Sequence, residues 1–112
     1  MTNFFAQLAD AVQFDPDRMT KADLFHGSTL MAGINCFEPG QSQVVHSHVG
    51  ADKFYLVISG KARMIVGEEI RIARGGTLVV APAGVSHGVL EALERTVMLI
   101  AMAPPPPARS SS

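Results

Sequence analysis

The chain has 112 residues, a formal net charge of −1 and 17% charged side chains. That length suits one domain with a core of its own, and the charge argues against a nucleic-acid partner, which calls for clustered basic residues. The single cysteine, Cys36, excludes an internal disulfide and is compatible with a reducing compartment, while no apolar run approaches the roughly 20 residues of a membrane helix.

In the N-terminal stretch MTNFFAQLADAV, Phe4, Phe5, Leu8, Ala11 and Val12 recur at helical spacing, which predicts a short amphipathic helix over 2–12 capped by Thr2 or Asn3. The same stretch has neither a basic start nor a long apolar centre, so no secretory leader is expected and the cytoplasm is the expected location. Asp15-Pro16-Asp17 then forms a turn, since proline suits neither helix nor ladder. From Lys21 onward short apolar or alternating runs recur between Gly, Pro, Asn and Ser: ADLF, TLMAGINCF, QVVHSH, KFYLVI, ARMIV, EIRIA, TLVVA, SHGVLEA and TVMLIAM. Eight or nine short strands with tight turns predict an all-β sandwich or barrel. The tail PPPPARSSS has nothing to bury and is expected to be disordered or polyproline II. The division is therefore 1–19 helix and connection, 20–103 barrel, 104–112 tail.

His46 and His48 stand two apart on a predicted strand, so their rings share one face. That is a spacing at which two imidazoles can hold one metal ion. His87 lies far along the chain after Pro82-Ala83-Gly84, and the expectation is that the fold brings the three rings together. Imidazole nitrogen suits divalent transition metals such as Fe, Mn, Ni or Zn, and three neutral histidines leave coordination positions open for water or a small ligand.

At these residues the sequence resembles the cupin superfamily. The first cupin motif is glycine, five residues, His-X-His, three or four residues, glutamate, six residues, glycine. Here it reads Gly40, His46-Ser47-His48, Lys53, Gly60. The second is glycine, five residues, Pro-X-Gly, two residues, histidine, three residues, asparagine; here it reads Gly76, Pro82-Ala83-Gly84, His87, Glu91. The resemblance covers about half the chain. It implies a cupin-type β-barrel (a double-stranded β-helix, or jelly roll), a metal held by His46, His48 and His87, and the homodimer that small cupins commonly form.

Two positions depart from the motifs: Lys53 replaces the glutamate and Glu91 the asparagine. Strand parity puts Lys53, Tyr55, Val57 and Ser59 on one face and Phe54, Leu56 and Ile58 on the other. An ammonium ~5 Å from a dication at an effective dielectric of ~20 would be repelled by roughly 6–7 kcal/mol. We expect Lys53 to carry its charge to the cavity mouth along its flexible stem. The alternatives are a neutral amine or a β-bulge at Gly50-Ala51 that turns Asp52 inward as a fourth ligand.

Without a carboxylate ligand the centre keeps its full charge and favours an anionic partner. Lys53 and Tyr55 are therefore the expected substrate-binding residues, the substrate being a small anionic organic molecule, with dioxygenase- or isomerase-like chemistry. The alternative is a non-catalytic small-molecule binding or sensing module with no bound metal. His26 reads as a surface residue and Cys36 as a small buried one. Phe54, Leu56 and Ile58 on an outward face need cover, from the helix or from a second subunit.

Overall fold

The computed structural model describes residues 4–107. Nine strands form among them, one for each apolar run: β1 (Thr20–His26), β2 (Met31–Phe37), β3 (Gln43–His46), β4 (Asp52–Ser59), β5 (Lys61–Val66), β6 (Glu69–Arg74), β7 (Leu78–Ala81), β8 (His87–Ala92) and β9 (Thr96–Ala103). They pair antiparallel throughout, in a five-stranded sheet ordered β1-β2-β9-β4-β7 and a four-stranded sheet ordered β3-β8-β5-β6. The result is a jelly roll.

The alternation of β4 sets the core. Lys53, Tyr55 and Val57 point between the sheets and are buried, while Phe54 and Leu56 face outward half-covered and Ile58 is exposed. Tyr55 and Val57 join Phe37, Met64, Val89, Met98, Ile100 and Met102 in the main cluster. A second cluster lies on the outer side of the five-stranded sheet, where Ile34, Cys36 and Val97 are covered by Leu8, Ala11, Val12 and Phe14.

That cover is not the expected helix. Only a four-residue 3-10 turn, Leu8–Ala11, forms, with no side-chain cap from Gln7. A helix this short depends on burying its apolar face. Here only Leu8, Ala11 and Val12 find a surface, while Phe4 and Phe5 are exposed. The predicted caps Thr2 and Asn3, and the tail beyond residue 107, lie outside the described residues.

Two motif glycines do different work. Both Gly40 and Gly60 adopt the left-handed conformation, with φ of 89° and 93°. A Cβ on Gly40 would meet nothing within 4 Å, whereas on Gly60 it would strike the Arg95 carbonyl and stand 2.7 Å from the Thr96 Cα. Gly40→Ala should therefore cost about 1 kcal/mol, the backbone penalty alone. Gly60→Ala should cost about 3 kcal/mol or more, because backbone must move. Urea unfolding of the two variants checks this, and equal losses would contradict it.

Candidate metal centre

His46 ends β3 and His87 begins β8, and the two are direct register partners in that ladder. His48 follows two residues beyond His46. The ring centroids stand 4.7 Å (46–48), 4.6 Å (46–87) and 5.3 Å (48–87) apart. One ligand nitrogen from each ring lies within 4.8 Å of the others, and this is the sole such group found among the described residues. The structure thus brings together three residues drawn from both motifs.

A clamp between the motif loops holds the arrangement. The Ala83 N–H donates to the Asp52 carboxylate at 2.9 Å, and the Gly84 N–H to the His48 carbonyl at 3.0 Å. Each bond ties the Pro82-Ala83-Gly84 turn, which delivers His87, to the segment that delivers His48. Asp52 is therefore not a fourth ligand: its side chain is exposed and engaged with backbone. No register shift falls at the start of β4, where Asp52 and Lys53 pair with Ala103 and Met102 in sequence.

The ring orientations are set from behind. His46 Nδ1 lies 2.6 Å from the Val44 carbonyl and His87 Nδ1 lies 3.0 Å from the Val85 carbonyl. A carbonyl only accepts, so each Nδ1 carries the proton and each Nε2 presents a lone pair. The Nε2 atoms of all three histidines are buried with no hydrogen-bond partner. Burial pushes the His48 imidazolium down to about 4, helped by the charges of His46, Lys53, His87 and Lys21. Burial likewise lowers His87, against the Val85 carbonyl, which raises it. Three unpartnered Nε2 atoms within reach of one another, two of them on imidazoles whose charged form burial disfavours, are the donor set a divalent transition metal needs.

Lys53 departs from expectation. It is 2% exposed rather than at the mouth, and its Nζ has no hydrogen-bond partner. The cause is local: Tyr55, two residues on and on the same face, presents its ring 4.5 Å from Nζ and draws the amine inward. Burial, with a smaller contribution from Lys21, lowers the amine to about 7. The tyrosine hydroxyl donates to Gln43 Oε1 at 3.0 Å, and burial holds that hydroxyl above its usual range. Lys21, on edge strand β1, was no part of the expected site, and its charge is felt at both Lys53 and His48. Only its pairing with Asn35 in the β1–β2 ladder puts it on an inward face, and nothing in the run ADLF signals that. The exposed His26, in the register row of Lys53 but three strands away, stays outside the cluster.

The sequence profile described as "Cupin domain" matches residues 33–102. An uncharacterised protein of Streptomyces coelicolor is 30% identical over 76 residues, covering 68% of this chain and 71% of that protein. The crystal structure of TT1209 from Thermus thermophilus superposes with a TM-score of 0.85 at 33% identity, over 91% of this chain and 98% of the other. An RmlC-like cupin protein from Desulfovibrio desulfuricans gives 0.84 at 27% identity, over 94% and 100%.

The protonation pattern makes a prediction. Between about pH 4 and 6.5 the unfolded chain binds a proton at residue 48 that the folded, metal-free chain refuses. Stability therefore rises with pH across that window and falls as acid is added. The urea midpoint of metal-free protein should drop from pH 7 to pH 5, and drop less in His48→Gln. An identical pH response in the two proteins would contradict the assignment.

Proposed function

The chain belongs to the cupin family, and from that premise we propose that it holds a divalent transition metal (Fe, Mn, Ni or Zn) and binds a small anionic organic molecule beside it. The observation that carries this reading is the group of four buried nitrogens without partners at one end of the barrel: Nε2 of His46, His48 and His87, and Nζ of Lys53. Leaving such groups dry and unpaired costs free energy of order 1–3 kcal/mol each, so the site is built for something that arrives. His46, His48 and His87 would supply the metal ligands. A bound ion would act there as a Lewis acid toward an oxygen of the ligand.

Lys53 supplies the anion's second contact. Its ordinary charge is suppressed by burial, not by a base, so an incoming carboxylate restores the proton at Nζ and pairs with it. No carboxylate contributes to the shifts of His48, His87 or Lys53; every charge felt there is a lysine or a histidine. Tyr55 shapes the pocket with its ring while its hydroxyl stays on Gln43. The alternative, a binding or sensing module without turnover, draws support from that same hydroxyl, which is engaged and hard to ionise.

A second proposal concerns the outer face of the five-stranded sheet. The N-terminal segment covers only the part around Ile34, Cys36 and Val97. Beyond Leu99, which packs against that part, the rows continue as Ala101-Phe54-Val80 and Leu56-Leu78, with Leu78 and Val80 more than half exposed. An apolar patch on a sheet face calls for a partner, and a second copy of the chain, meeting it face to face, would bury both copies' patches at once.

Three measurements test these readings. Metal analysis of protein purified without added metal should find a first-row ion that is lost in the His46→Ala/His48→Ala double variant; equal retention would sink the ligand assignment. Lys53→Met should abolish stabilisation by small carboxylates in thermal shift, yet make the metal-free chain about 1–3 kcal/mol more stable by removing a buried unpaired amine. Sedimentation should show a dimer that Leu56→Glu converts to monomer, and a monomeric unaltered chain would end the dimer proposal.

A further inference from the structure

A cavity of about 550 Å³ opens where β6, the edge of one sheet, meets β7, the edge of the other. It is an open cleft: Met64, Val66, Ala73 and Val79 line its inner part, the exposed Ile72, Leu78 and Val80 its outer edge, and Glu69 and Arg71 also border it. Met64 and Ala73 are core residues, with Val79 packed against them. At the rim Arg71 Nε and Glu69 Oε2 are 2.5 Å apart, so the two charges largely cancel.

No histidine lines this cavity, yet its inner wall reaches the register neighbours of His87 and of Tyr55. Val66 is the register partner of His87, and Val79 is the register partner of Tyr55. Residues paired in this way have Cα atoms about 4.5–5.5 Å apart and side chains on one face. A mostly apolar cleft therefore lies, by register, one residue from His87 and from Tyr55, beside the buried nitrogens of the histidines and Lys53. The chamber's size falls in the range of small-molecule pockets.

We propose that this cavity receives the apolar tail of a monocarboxylate ligand whose charged head lies among the histidines and Lys53. The inference rests on the anionic-ligand reading above and adds a substrate class: carboxylates with a short hydrocarbon chain, in preference to small polar diacids. Val66 and Val79 are then the residues that set chain-length preference. The neutralised rim explains how such a tail passes the mouth without meeting a net charge.

The test compares acetate with hexanoate by calorimetry on the Zn²⁺-loaded protein. Four further methylenes entering an apolar chamber should make hexanoate bind ~10-fold or more tightly than acetate. Val79→Trp and Val66→Phe fill the chamber from opposite sheets. Each should collapse that preference, while bound zinc and cooperative unfolding stay as in the unaltered protein. Acetate binding with no gain for hexanoate, or a preference that survives both substitutions, overturns this inference and leaves the anion reading standing. Binding of neither acid to zinc-loaded protein overturns both. The comparison in the unaltered chain decides the matter even if a variant does not fold.

Discussion

Four polar nitrogens at one end of this barrel are buried with no hydrogen-bond partner in the protein. Three are imidazole Nε2 atoms and the fourth is the Lys53 amine. Burial disfavours the charged form of three of these groups: desolvation is the leading cause of the shift at His48, His87 and Lys53 alike. The rest of the chain tolerates this because elsewhere the two sheets pack conventionally, around Phe37, Tyr55, Met98 and Ile100. Asn35 is the further exception, with both amide atoms buried and unpartnered. It shares a register row with Met98 and Val57, four residues along the strand from Lys53, or about 13 Å. It thus plays no part in the nitrogen cluster.

The same pleat that points Lys53 and Tyr55 inward forces Phe54 and Leu56 outward. A strand with both faces apolar must be covered twice. The core covers one face, and the N-terminal segment covers a neighbouring part of the outer surface without reaching β4. Site and surface are therefore two sides of one constraint. A substitution that shifted the register of β4 by one residue would put the lysine in solvent and a leucine or phenylalanine among the histidines.

Second contacts decide how usable the cluster is. Backbone carbonyls of Val44 and Val85 hold the Nδ1 protons of His46 and His87, which leaves Nε2 as the donor on each. Asp52, beside the position of the missing glutamate, grips the Pro-Ala-Gly turn instead. A carboxylate is thus still present near the histidines, and it is spent on positioning the turn that delivers His87.

Much of this was legible in the residues. Strand parity and turn chemistry are local properties, so nine apolar runs became nine strands, and the motif spacings named the three histidines and the inward face of β4. The N-terminal spacing misled because a helical pattern of apolar residues forms a helix only where a surface receives it, and here the body received one turn. Three features depended wholly on which strands became neighbours: the Asp52 clamp, the charge of the exposed Lys21 reaching Lys53 and His48, and the inward course of Lys53. Sequence order cannot supply them, since a long flexible stem follows whatever ring, carbonyl or void the opposing strands present. Periodicity and turn residues determined an all-β body, and the motif spacings pointed to a jelly roll with histidines on its inner face; the packing of one sheet on the other decided how deeply that end buries its nitrogens.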